Sequence, residues 1–171
     1  MHTQPTTKRC APLDFTQENL IRFLLTYPVF LIAITIHEFA HAITARWGGD
    51  LTASYQGRVT LNPLAHIDPL GTVVMPLLMA FTSVPYLIGW AKPVQTVSSN
   101  YRRGHKYGAI VSLAGPFSNL LQAIFFSICL QALVLVAPSA GDENATVIAV
   151  IYQFCFYGVY LNIILFVFNL L

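Results

Sequence analysis

The sequence predicts an all-α polytopic membrane protein of three to four transmembrane helices, with scope for one re-entrant segment and one short membrane-associated strand. Three observations predict it. The 171 residues are 56% hydrophobic and only 9% charged, against about 25% charged in ordinary soluble domains. The apolar residues fall into four long stretches, at 20–45, 71–89, 109–136 and 145–171. Inside the first stretch sits His37-Glu38-Phe39-Ala40-His41, three ionisable side chains where a carboxylate near mid-bilayer costs about 2.5 to 3.5 kcal/mol even on the milder insertion scales.

Residues 1–18 form a polar tail, and 19–171 read as a single transmembrane domain. Lys8 and Arg9 before an apolar run, with Ala40-His41-Ala42 as an A-x-A site, resemble a secretory signal. Cutting there would split the histidine pair and the run is long for a signal core, so it reads as a retained helix. Stretches 20–45, 109–136 and 145–171 exceed the roughly 20 residues that cross a bilayer. The second stretch is shorter and holds Pro76, Thr82, Ser83 and Pro85, which suits a broken or re-entrant element. A net charge of +2 is too small to suggest nucleic acid as a partner. Cys10, Cys129 and Cys155 lack CxxC spacing, so neither a disulfide framework nor a thiolate metal site is indicated.

Two topologies follow from charge and depth. If all four stretches span, Lys8, Arg9, Arg22, Lys92, Arg102, Arg103 and Lys106 share a side against Arg46 and Arg58, and the positive-inside rule places the N-terminus in the cytoplasm. Depth points the other way. His37 lies roughly 12 Å from the end of the first stretch and Pro116 roughly 10 Å into the third, at 1.5 Å per residue, and these depths match only if both ends face one side. The second stretch then enters and leaves by the same face, with the tail outside.

The pentapeptide carries the chemistry. Positions i and i+4 share a helix face, so His37 and His41 can present two imidazoles to one zinc ion while Glu38 reaches water bound there. The bland alternative is two helix histidines bonded to backbone or partner side chains with Glu38 paired elsewhere. His66 and Asp68 lie in a proline-flanked loop; Asp68 before Pro69 reads as a helix N-cap, with a gating or spare-ligand role as the other reading. His105 among Arg102, Arg103 and Lys106 reads as a solvated or headgroup-facing cluster.

Four further stretches follow in order: Gly57-Arg58-Val59-Thr60-Leu61-Asn62-Pro63-Leu64-Ala65-His66-Ile67-Asp68-Pro69-Leu70-Gly71, Gly89-Trp90-Ala91-Lys92-Pro93-Val94, Ala114-Gly115-Pro116-Phe117-Ser118-Asn119, and Phe168-Asn169-Leu170-Leu171. With the histidine pentapeptide, this order resembles the site-2 protease family of intramembrane zinc metalloproteases, in its compact bacterial form without a PDZ domain. The resemblance implies an integral protein of the bacterial inner membrane that cleaves transmembrane segments of other membrane proteins. It implies that His37 and His41 bind one zinc ion and that Glu38 is the general base. Asn119 matches the family's Ala-Gly-Pro-x-x-Asn asparagine, an oxyanion or substrate contact on that likeness and an interhelical hydrogen bond on the other reading. Gly89, Trp90 and Lys92 lie in a segment that the family pairs with unwound substrate; a surface loop is the alternative.

The family's third zinc ligand is an aspartate in a Leu-Asp-Gly motif shortly after Phe-Asn-Leu-Leu-Pro. The sequence ends at Leu171, within the matching stretch, and 145–171 holds no Asp or Glu. The expectation is a chain truncated before that motif and lacking its third ligand, its activity in doubt. A catalytically inactive pseudoprotease that binds membrane segments is the alternative.

Overall fold

The computed structural model describes residues 17–81, 88–102, 104, 106–136 and 144–170. The tail with Lys8, Arg9 and Cys10, the stretch holding Thr82, Ser83 and Pro85, Arg103, His105, the acidic connection at 141–143 and Leu171 lie outside the described residues.

Helix α1 covers Gln17–Gly48, 32 residues and about 48 Å at 1.5 Å per residue. It is apolar nearly all round, as a helix in lipid is, and carries Pro28 internally. It ends where glycine can adopt a positive φ: Gly49 sits at φ 105°, with Gly49 N donating to Arg46 O and Asp50 N to Ala45 O, each at 3.0 Å. That pairing closes the last carbonyls of the helix.

A short helix α2 (Thr52–Tyr55) follows, then a 3₁₀ turn at Pro63–Ala65. The second apolar stretch forms a π-helical turn over Pro69–Val74 and a helix α3 over Met75–Ala80, 6 residues each. Together they reach about 18 Å, short of the roughly 30 Å hydrocarbon core. Asp68 caps this element, Oδ1 accepting from Leu70 N at 3.0 Å and Gly71 N at 2.7 Å, with Pro69 in the first turn. The cap reading of Asp68 describes this geometry.

Helices α4 (Lys106–Val136, 31 residues) and α5 (Ala145–Phe168, 24 residues) complete the bundle. With α1 they are the three described helices long and apolar enough to cross a membrane. Arg102 N donates to Gly48 O at 2.9 Å and Tyr107 Oη to Thr44 O at 3.3 Å. The end of α1 and the start of α4 therefore share one end of the bundle.

The core joins Val29, Phe30 and Ile34 of α1 to Leu161 of α5. Ile110, Leu113, Phe117, Leu121, Ile124 and Ile128, spaced three or four apart on α4, stay exposed. Such an outward apolar stripe is the face a bilayer covers. Gly158 lets α4 and α5 approach, because a Cβ there would strike the ring of Phe126.

Candidate metal centre and adjoining cleft

His37 and His41 lie one turn apart on α1, His37 being 8% exposed. Their Nε2 atoms stand 3.0 Å apart, and the opposite ring nitrogens are both occupied. His41 Nδ1 lies 2.7 Å from Val111 O and His37 Nδ1 lies 2.5 Å from Asn119 Oδ1, both on α4. A carbonyl oxygen can only accept, so each Nδ1 carries a proton, and in neutral rings each Nε2 then presents a lone pair. Two lone pairs facing each other at this distance repel unless a cation lies between them. Two nitrogens on one tetrahedral zinc, at about 2.0 to 2.1 Å from the metal, would be separated by roughly 3.3 Å.

The donor set thus fits zinc, and each Nδ1–H bonded to a carbonyl is the usual outer support of a metal-ligating histidine. Gly115 of α4 makes room for the pair: a Cβ there would lie 2.5 Å from His37 Nε2 and closer still to His41 Nε2. Among the described residues, no third His, Cys, Asp or Glu joins them in a metal-holding group.

Glu38, the next residue on α1, is also buried. Its Oε2 accepts from Val94 N at 2.8 Å, and its Oε1 has no protein partner among the described residues. Val94 belongs to a segment at 88–97 that runs extended without entering a strand ladder. The reason lies in its partners. Trp90 N donates to Gly71 O at 3.2 Å, Lys92 N to His66 O at 2.9 Å and Thr72 Oγ1 to Trp90 O at 2.8 Å. The edge facing the loop is satisfied by single loop residues and by Glu38, not by a second strand. Gly71 is needed at this junction, since a Cβ would collide with the Trp90 indole.

A cleft of about 740 Å³ opens between α1, this segment and α5. His37 and Glu38 lie in its wall with Phe30, Ile34, Gly89, Ala91, Leu161 and Ile164. Gly89, Trp90 and Asn169 also line it. Lys92 is exposed, and among the described residues it is held through its backbone. Asn119 is fully buried, with Oδ1 on His37 and Nδ2 donating to Asn162 Oδ1 at 2.8 Å and to Ala33 O at 3.5 Å. Its carboxamide is spent within the bundle, behind His37.

Three residues escaped the sequence reading. Asn162 is 0% exposed on α5 and contacts Asn119; an amide in an apolar span was the available signal, one that Gln153 in the same helix shares. Buried Arg58 donates from Nη2 to Lys92 O at 2.5 Å and Pro93 O at 3.1 Å. Asp50, also 0% exposed, accepts on Oδ1 from Thr52 N (3.1 Å), Thr52 Oγ1 (2.5 Å) and Asn100 Nδ2 (3.0 Å), and on Oδ2 from Val97 N (2.6 Å). Burial pushes its carboxyl up, but these donated hydrogen bonds outweigh burial and hold it below the ordinary value of 3.8. Nothing in the sequence separates Arg58 and Asp50 from surface loop charges. His66 is fully buried, with Nε2 donating to Thr60 O at 2.9 Å.

Known proteins resemble this chain in sequence. "Putative zinc metalloprotease YwhC" of Bacillus subtilis is 39% identical over 143 residues, covering 82% of this chain and 59% of that protein. "Putative zinc metalloprotease Rip2" of Mycolicibacterium smegmatis is 35% identical over 102 residues, covering 60% of this chain and 38% of that protein. The Rip2 of Mycobacterium tuberculosis is 32% identical over 102 residues, with the same coverage. The chain is a homologue of bacterial proteins named as zinc metalloproteases. It spans 59% of the length of YwhC and 38% of that of Rip2. No family model matches it, and no solved structure matches it either.

Proposed function

We propose that this chain carries the histidine pair and base of an intramembrane zinc endopeptidase of the site-2 protease type, acting on transmembrane segments of other membrane proteins. One observation carries the reading: two imidazoles, each with Nδ1–H tied to a carbonyl, aim their Nε2 lone pairs at one point inside a helix long enough to span a bilayer. His37 and His41 would hold one zinc ion. When bound, zinc supplies Lewis acidity and makes water a stronger acid. Glu38, in the wall of the cleft, takes the proton from the attacking water and returns it to the departing amine. Val94 N–H holds the Glu38 carboxylate in place. The cleft is apolar and excludes water from a helical segment that has opened, while the side of 89–91 facing away from the loop offers backbone groups to an extended peptide.

Catalytic zinc sites hold three protein ligands, so the reading requires one donor beyond His37 and His41. The resemblance would make it an aspartate in a Leu-Asp-Gly motif. The two-ligand set favours one other reading, a module that binds membrane segments without cutting them. The test is zinc content of the purified protein against its His37→Ala variant, followed by cleavage of a single-span model peptide by the protein that carries this chain. Zinc retained by the wild type alone, with cleavage lost in Glu38→Gln, supports the protease. Equal zinc in wild type and variant sinks the metal centre. Capture of the peptide that ignores chelator and Glu38→Gln supports the binding module.

A further inference from the structure

We propose that Asn162 is a positioning residue of the metal centre, fixing the ring tautomer of His37 through Asn119. The relay starts at a group whose direction admits no choice. Gly158 O is a backbone carbonyl and only accepts, so the Asn162 atom 2.8 Å from it is Nδ2. Asn162 Oδ1 therefore faces Asn119, and the atom it meets at 2.8 Å must be a donor, Asn119 Nδ2. That leaves Asn119 Oδ1 against His37 Nδ1. An acceptor there demands Nδ1–H and leaves the lone pair on Nε2, the atom that faces His41. Polarity set by the backbone of α5 passes through α4 to a side chain of α1.

The two histidines differ in how they are secured. His41 rests on Val111 O, a backbone carbonyl that cannot turn over. His37 rests on a carboxamide whose two ends nearly match in shape, so a half turn of Asn119 would put Nδ2 on Nδ1. The ring would then carry its proton on Nε2 and lose its ligand lone pair. Apart from Asn162, among the described residues only the long 3.5 Å contact with Ala33 O resists that turn. Asn119 and Asn162 are both 0% exposed, so bulk water does not substitute for a lost partner. An amide buried in a 24-residue apolar helix is expensive, and holding a ligand in its binding tautomer is a use that accounts for it.

The inference rests on the metal reading for its purpose but not for its test. Asn162→Leu replaces the carboxamide with an apolar group of nearly the same shape and leaves no cavity. In metal-free full-length protein with ¹⁵N-labelled histidine, ring nitrogen shifts report which nitrogen of each imidazole is protonated. The expected result is Nδ1–H at both rings in the wild type. In Asn162→Leu, His37 moves to Nε2–H or a mixture while His41 stays unchanged, and zinc affinity falls 10 to 100-fold. Asn119→Asp added to Asn162→Leu presents an acceptor whichever way it turns, so the Nδ1–H tautomer of His37 should return. His37 remaining Nδ1–H in Asn162→Leu, or failing to return in the double variant, overturns the relay. A tautomer shift in a chain whose wild type binds no zinc upholds the relay and removes the metal reading; zinc binding without the shift does the reverse.

Discussion

Gly115→Ala tests the metal centre with the smallest change available, one methyl group. The added Cβ would lie 2.5 Å from His37 Nε2, and nearer to His41 Nε2, where ordinary contact begins at 3.4 Å. One or both rings must retreat by about 1 Å, whereas ligand bonds hold to within about 0.2 Å. If the pair holds zinc as proposed, at least one of its two bonds would be lost, and zinc affinity should fall by about a hundredfold or more. The fold should survive: overpacking costs about 1 to 3 kcal/mol, while replacing glycine by alanine within a helix returns about 1 kcal/mol. Calorimetric zinc titration in detergent, read beside thermal unfolding, separates the two effects. Gly108→Ala in the same helix is the control, since its Cβ meets Tyr101 at an ordinary 3.7 Å; it should change neither affinity nor, by more than about 1 kcal/mol, stability. Wild-type zinc affinity in Gly115→Ala would refute the placement of both Nε2 atoms at a shared ion.

Other outcomes follow from the loops and the base. Asp50→Asn turns an N–H donor towards Val97 N–H or Thr52 N–H and should cost about 2 to 3 kcal/mol at pH 7 by thermal unfolding. Because the Asp50 carboxyl is held below its ordinary value, its contribution is present above that value and is lost as pH falls through the lower folded one. The gap between wild type and variant should therefore close below about pH 4. Arg58→Met removes the clamp on Lys92 O and Pro93 O, so amide exchange at Trp90, Lys92 and Val94 should accelerate while exchange within α4 stays unchanged. Glu38→Gln keeps an oxygen for Val94 N–H, so zinc content should match wild type while cleavage falls by about 10² to 10⁴; full cleavage would exclude Glu38 as the base.

The histidine pair was legible because its evidence is local: an i, i+4 spacing inside an apolar run needs only helix geometry to bring two imidazoles together. The cap at Asp68 was legible for the same reason. The prolines of the second stretch pointed to a broken element, and its described part is two six-residue helical pieces; that the ends of α1 and α4 lie together rests on the contact of Arg102 with Gly48, which no local pattern encodes. Asn119 could be singled out but not given a direction, because its role depends on the register of α4 against both α1 and α5. Asn162, Arg58 and Asp50 depend on partners 43, 34 and 47 residues away, and no periodicity encodes such pairings. The stretch from Gly89 to Val94 suggested an edge strand by its composition. What it lacks is a partner strand, because the loop from Arg58 to Thr72 covers one side of it with single hydrogen bonds.

That covering loop ties the base to the cleft. Trp90, Lys92 and Val94 donate in alternation to Gly71, His66 and Glu38, so the backbone of the segment positions Glu38 while Gly89, Trp90 and Ala91 line the cleft. On the proposed reading, a peptide pairing with the cleft side presses on the same few residues that aim Glu38. Arg58 limits how far they can move, because its guanidinium holds the two carbonyls immediately before Val94. A flexible loop in this place would let the substrate edge shift without the base, and a base displaced by 1 Å forfeits much of its catalytic effect. The buried arginine is therefore better understood as the fixed point of this bracket than as a stray charge: on the proposed reading, seating a peptide in the cleft and aiming Glu38 at it would be one positional event.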